Sequence, residues 1–78
     1  MELTRAEFCS FNTHSRLQLI QKDGSFMAER QIYPTHLVKL YLIYTFYVEV
    51  ITELNNNEVV IADPIISSGM LSLYNNES

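Results

Sequence analysis

The apolar positions of this chain are concentrated in one run from Leu37 to Leu54, LVKLYLIYTFYVEVITEL. β-Branched and aromatic residues crowd this run, and it contains no Gly or Pro. Such side chains lose rotamer freedom in a helix and pack well on a pleated surface, so the run favours strand. One strand of this length would span roughly 55–60 Å, at about 3.3 Å per residue, which is too long for a small domain. We therefore predict a hairpin.

The predicted hairpin turns at Ile43-Tyr44-Thr45, because that turn keeps one face apolar. The core face then carries six side chains: Val38, Leu40, Leu42, Phe46, Val48 and Val50. The opposite face carries an opposite-charge pair, an aromatic pair and an apolar pair: Lys39 with Glu49, Tyr41 with Tyr47, and Leu37 with Ile51. A slip by one residue would place Leu40 opposite Glu49 and mix the two faces.

A helix-start signal lies near the N-terminus. Thr4 and Glu7 have the T-x-x-E spacing of a capping box, in which each side chain bonds the other residue's backbone N–H. Leu3 and Phe8 occupy the positions of a hydrophobic staple. The pattern predicts a short helix over residues 4–10, and a chance match in a frayed terminus is the alternative.

Asp23-Gly24 is the strongest hairpin signal in the chain, because Gly accepts positive φ without steric cost and Asp tolerates it. It predicts strands over residues 16–22 and 26–32. Arg30 falls on the inward face of that hairpin. Its guanidinium either reaches water near the sheet end or is buried against a carboxylate or backbone carbonyls. The other inward residues are Leu17, Leu19, Phe26, Ala28 and Ile32.

Turn residues delimit the remaining elements. Pro34-Thr35-His36 predicts a three-residue loop before the long hairpin, and Asn55-Asn56-Asn57 predicts a turn after it. A last strand is expected over residues 58–62. Two inward pairs are possible in it, Val59 with Ile61 or Val60 with Ala62.

Asp63-Pro64 is expected to end the sheet, because Pro cannot continue a central ladder. Ser67 or Ser68 then caps a short C-terminal helix that contains Met70, Leu71 and Tyr74. The predicted fold is therefore α+β, a five-stranded antiparallel meander sheet with short N-terminal and C-terminal helices. Residues 1–78 form a single small domain.

Length and composition favour association with another chain. A domain of 78 residues buries only about 60% of its unfolded surface, so its stability margin is small. One cysteine leaves no intrachain disulfide, and the apolar fraction of 47% is high for so short a chain. Small scaffolds without such cross-links often gain stability by association. We therefore expect a homodimer or another protein partner.

The charge pattern argues against nucleic acid and membranes as partners. The net charge is −4, and the five basic residues are scattered rather than gathered in a stripe that would neutralise phosphates. Lys39, Glu49 and Glu53 argue against a transmembrane helix in the apolar run, because each would be costly in lipid. The N-terminus MELTRAEF lacks the apolar run of a signal peptide, and a single cysteine suits a reducing compartment, so we expect a cytoplasmic protein.

Residues that bind metals are few. Cys9, His14 and His36 provide three candidate ligands, whereas structural zinc normally has four at short spacing. We expect no metal, with Cys9 buried as a small apolar residue of the first helix and the histidines in turns.

Catalytic and cofactor signals are also weak. Gly24 and Gly69 are the only glycines, so the chain has no Gly-rich phosphate loop and we expect no cofactor. Glu49 and Glu53 would lie about 13 Å apart on one strand, at about 3.3 Å per residue. That separation exceeds the spacing of paired carboxylates in glycosidases, so we assign no catalytic residues.

The sheet residues carry a resemblance. Leu40-Tyr41 and residues 46–50 form the pattern LY-x4-FYVEV, which an Asn turn, a short strand and L-x-x-Y at Leu71 and Tyr74 follow. Over roughly half of its length the chain resembles a group of small, uncharacterised bacterial proteins. Those proteins carry a Gly-Asp type turn where this chain has Tyr44-Thr45. The resemblance implies a shared sheet core, and it points to no particular activity.

The outer face of the predicted hairpin is the candidate interaction surface. It combines aromatic and apolar side chains with few charges: Tyr33, Leu37, Tyr41, Tyr47 and Ile51. Exposed sheet faces normally alternate to polar residues, and aromatic residues with few charges are typical of interface centres. Base stacking on the tyrosines and cover by a terminal helix are alternatives. We therefore expect a non-enzymatic module that self-associates or binds a protein; the alternative is a small-ligand-binding or minor catalytic domain.

Overall fold

The computed structural model describes residues 2–32 and 34–65. Two helices and four strands follow one another in the described residues: α1 (Arg5–Cys9), α2 (Thr13–Asp23), β1 (Ser25–Ile32), β2 (His36–Ile43), β3 (Phe46–Glu53) and β4 (Glu58–Pro64). Each strand pairs antiparallel with the next, in the order β1-β2-β3-β4. The α+β class and the antiparallel meander are confirmed, with four strands where five were predicted. The predicted C-terminal helix lies outside the described residues.

The predicted N-terminal helix and its capping box are both confirmed. The Thr4 hydroxyl accepts from the Glu7 N–H at 3.1 Å, and the Thr4 N–H donates to Glu7 Oε1 at 2.8 Å. Two backbone donors that a helix start leaves unpaired are thereby satisfied. The cap positions Phe8, which is fully buried and meets the Phe46 ring edge-on at 5.4 Å between centroids.

The strand predicted over residues 16–22 is wrong, because this segment belongs to α2. Asn12 caps the helix by accepting from the Ser15 N–H at 2.9 Å. Gly24 ends it in an extended conformation, φ −86°, and donates its N–H to the Ile20 carbonyl at 2.8 Å. A Cβ on Gly24 would lie 2.7 Å from that oxygen, so this glycine permits the close approach and not a hairpin turn.

The predicted register of the central hairpin is also wrong. Lys39 pairs with Val50 and not with Glu49, and Leu40 is the residue opposite Glu49. The strands are joined by the two residues Tyr44-Thr45, because Ile43 and Phe46 form the last pair. Tyr44 adopts a left-handed φ of 55°, which is rare for a bulky residue. Contacts of its side chain offset that cost, since the phenol donates to Asp23 at 2.7 Å and the ring tilts against Phe46 at 6.2 Å.

The observed register gives the sheet two distinct faces. The helix face, against which Phe8 and Ile20 pack, carries Ile43, Phe46, Val48, Val50 and Ala62. The second face carries Val38, Leu40, Tyr47, Glu49 and Ile51. Val38 and Leu40 were predicted to share a core face with Val48 and Val50, and the one-residue difference in register separates them. Val38, Leu40 and Glu49 are nevertheless buried, so both sides of the sheet contribute to the interior.

The loops at one end of the sheet differ only slightly from expectation. The first hairpin closes at the Ile32–His36 pair, so His36 belongs to β2 and not to the predicted loop. The Leu54 N–H donates to the Thr35 carbonyl at 2.8 Å, which ties this loop to the loop after β3. The predicted Asn turn is confirmed, with Asn57 at a φ of 60°.

A bulge in β4 decides which of its side chains face the helices. Ile61 pairs with Ile51, whereas Val59 pairs with Thr52, so Val60 is the extra residue. Val59 and Ala62 therefore both reach the helix face, and Ile61 lies on the second face. Neither predicted inward pair is correct, because both assumed an uninterrupted two-residue alternation.

Arg16 joins the two helices to β4. Its guanidinium donates four hydrogen bonds: to Phe11 O, Cys9 O and Ala62 O at 2.8 Å each, and to Asp63 Oδ1 at 2.9 Å. It also lies 5.6 Å from the centre of the Phe8 ring. This planar fork, with 15% of the side chain exposed, connects the α1–α2 corner to the edge strand.

We expect Arg16→Lys to lower the free energy of unfolding by about 2 kcal/mol, because an ammonium cannot reproduce bonds in several directions of one plane. Urea unfolding followed by circular dichroism measures the change. Gln18→Lys, at an exposed site of the same helix, is the control and should change stability by less than about 0.5 kcal/mol. Equal effects of the two substitutions would contradict the role of the fork.

The pKa of the Tyr44 phenol is raised above its ordinary value, first because the protonated phenol donates to the Asp23 carboxylate and then because of desolvation and nearby negative charge. Asp23→Asn should therefore lower this pKa, measured from the ¹³Cζ shift with Tyr44→Phe to assign the signal. The pKa of Tyr44 is higher in the folded state than in the unfolded state. The contribution of the Tyr44–Asp23 hydrogen bond to stability is therefore present below about pH 10 and is lost as pH rises through the folded-state pKa. An unchanged pKa in Asp23→Asn would contradict the assignment.

Candidate functional site: the groove between the first helix and the second sheet face

A groove of about 790 Å³ lies between α1 and the β3–β4 part of the sheet. One wall is formed by residues of the first helix and its cap, Thr4, Arg5, Ala6 and Cys9. The other wall is formed by Glu49, Ile51, Ile61, Asp63 and Pro64. The groove is therefore lined by apolar side chains with charged groups among them.

Local structure explains how these two walls are held next to each other. Arg5 donates from Nη1 to the Ile65 carbonyl at 3.2 Å, and Arg16 links the end of α1 to Ala62 and Asp63. These bonds hold the helix beside the edge strand. The bulge at Val60 then places Ile61 on the second face, where it lines the groove.

The two walls carry opposite charges. Arg5 is exposed on the helix wall. Asp63 lies on the sheet wall with 64% of its side chain exposed, and its Oδ1 accepts from Arg16. A molecule that binds between the walls can therefore meet one positively charged and one negatively charged side chain.

Glu49 is the buried charge of this wall, with only 8% of the residue exposed. Arg30 reaches across β2 and places Nη2 3.4 Å from Glu49 Oε2. Of the two alternatives for Arg30, the structure shows the contact with a carboxylate. Removing two charges from water is costly unless they meet, so this pair constrains how β1 and β3 lie relative to each other.

The residues predicted as one interaction face are divided by the observed register. Leu37 and Tyr41 lie on the helix side, where Tyr41 meets the Phe26 ring at 5.8 Å. Tyr47 and Ile51 lie on the second face, and of these Ile51 lines the groove. The fifth predicted residue, Tyr33, lies outside the described residues.

The candidate metal ligands are dispersed. Cys9 is exposed on the groove wall, so the prediction that it is buried in the first helix is wrong. His14 is exposed and lies in α2 rather than in a turn, while His36 begins β2 with its Nδ1 2.7 Å from the Thr35 hydroxyl. Within residues 2–32 and 34–65 no group of three or more His, Cys, Asp or Glu side chains is placed to hold a metal ion.

Sequence reasoning missed Arg5, Ile61 and Asp63 as members of one site. The capping box does place Arg5 in the first turn of a helix, so the position of Arg5 on α1 was predictable from the sequence. A bulge, in contrast, has no clear composition signal in Asn55–Ala62, so the orientation of Ile61 was not predictable from alternation alone.

Comparisons with family models, curated proteins and solved structures find no match for this chain. Among the described residues, neither helix has the length and apolar character needed to cross a membrane.

We expect Glu49→Leu and Arg30→Met each to lower the free energy of unfolding by about 2 kcal/mol, because each leaves the other charge in a largely buried site. The double variant should lose less than the sum of the two, which a double-mutant cycle in urea measures. Glu29→Leu, at an exposed position of β1, is the matched control. Strict additivity of the two losses would show that the pair is not coupled.

Proposed function

We propose that this chain is a non-enzymatic protein-interaction module whose binding surface is the groove between α1 and the second sheet face. The observation that carries the proposal is the lining of the groove, in which Ile51, Ile61 and Pro64 lie beside charges of both signs. Interfaces of this kind combine an apolar centre with polar groups that orient the partner.

The expected partner is a polypeptide segment with apolar side chains. Ile61 remains 37% exposed, and covering it would remove apolar area from water at roughly 25 cal/mol per Å². Arg5 and Asp63 would pair with polar groups at the margin of the contact, where such pairs set orientation more than affinity.

A small ligand is the second candidate, and the size of the groove favours it. A volume of about 790 Å³ falls within the roughly 300–1,000 Å³ typical of small-molecule sites. Apolar walls with a few polar groups are also usual for such sites. Arg5 and Asp63 would then fix the orientation of the ligand.

A reducing compartment such as the cytoplasm suits this function. The single cysteine is exposed on the groove wall, where an oxidising environment would expose it to disulfide exchange. Cytoplasmic location and kinship with the small bacterial proteins that the sheet pattern resembles both remain predictions.

We expect selection from a random displayed-peptide library to yield binders of the wild-type chain that Ile61→Lys no longer retains, since a lysine would place a charge among the apolar groove residues. Val60→Lys is the matched control, because Val60 is the adjacent residue, is 51% exposed and does not line the groove. Backbone amide shifts should map the selected peptides to the groove walls.

Peptides that bind Ile61→Lys as well as the wild type would contradict the proposal. A failure to select any peptide, together with a rise in melting temperature on addition of one class of small molecule, would favour the second candidate, because a ligand selective for the native state stabilises it.

A further inference from the structure

We propose that the groove's partner is a second copy of this chain, docked about a two-fold axis that passes beside Ile61. This inference rests on the proposed function, because it names the partner of the same groove. The two copies would bury their grooves against each other in an isologous contact, in which the same surface serves both sides.

The charges of the groove meet the main requirement of such a contact. An isologous interface must be complementary to itself, so a patch of one sign would repel its own copy. Here the positive Arg5 and the negative Asp63 stand on opposite walls of one groove. A two-fold axis between the walls brings Arg5 of each copy to Asp63 of the other.

Both side chains retain bonding capacity for such a contact. Within the described part of the chain Arg5 donates one hydrogen bond, to the Ile65 carbonyl, and a guanidinium has five N–H donors. Asp63 accepts from Arg16 at Oδ1, and its carboxylate has further lone pairs. The side chains can therefore pair between copies without losing the bonds that hold α1 to β4.

Ile61 supplies the apolar centre. It is the large apolar residue of the groove that is left exposed, and it lies two positions from Asp63 on the same strand face. Near a two-fold axis it meets its own copy, so any charge introduced there is also duplicated.

Analytical ultracentrifugation between about 1 µM and about 1 mM, the range of weak to moderate affinities, tests the proposal on the full chain. The wild type should sediment as a dimer at the upper end, and Ile61→Lys and Ile61→Glu should each sediment as folded monomers. A mixture of equal amounts of these two variants should recover the dimer, because the introduced charges then attract. The same mixture of Val60→Lys and Val60→Glu should behave as the wild type.

Arg5→Gln and Asp63→Asn remove the charges but leave a polar side chain at each position. Each should weaken the dimer by about tenfold, because one substitution removes both of the exposed ion pairs in a two-fold dimer. A wild type that remains monomeric over the whole range overturns the inference, as does a mixture of Ile61→Lys and Ile61→Glu that stays monomeric. Selection of groove-binding peptides by such a monomer would leave the proposed function standing with a different partner. A monomer in ultracentrifugation that also selects no groove-binding peptide would contradict both the dimer and the proposed protein-binding function.

Discussion

The fork of Arg16 is the interaction on which the arrangement of the other elements depends. One guanidinium satisfies the carbonyls of Cys9 and Phe11 at the corner between the helices, and the carbonyl of Ala62 on the edge strand. In so small a domain the apolar core alone leaves little stability to spare. A few directional bonds that fix the helices on the sheet therefore have a large influence on whether the groove beside β4 exists at all.

The two-residue turn at Tyr44-Thr45 has the next largest effect, because it sets the pairing of β2 and β3. Extending the turn by one residue would exchange the helix face and the second face along one of the strands. The left-handed φ of Tyr44 costs conformational energy. Contacts of its side chain with Asp23 and Phe46, which lie outside the turn, offset that cost. Tertiary contacts, and not local turn preference, therefore select the register.

Because tertiary contacts select the register, the sequence predicts the elements that local signals define and not the way in which they pair. The capped first helix, the four strands β1 to β4 and the Asn turn follow from local signals, and the structure contains them. The alternation of Leu17, Gln18 and Leu19 is typical of a strand, which hides the helix α2. The signals that favour the helix are Asn12 as its N-cap and Gly24 at its end. The groove could not be predicted, since it requires both the Val60 bulge and the position of α1.

The same features that form the groove also close one edge of the sheet. The outer carbonyl of Ala62 is bonded to Arg16, and Pro64 has no N–H to offer, so a further strand finds few partners along that part of β4. At the opposite edge, the irregularity between Phe26 and Ala28 interrupts β1. A chain that exposes Phe26, Met27 and Val60 on its edge strands is thereby hindered from growing into an open-ended ribbon through backbone pairing between copies.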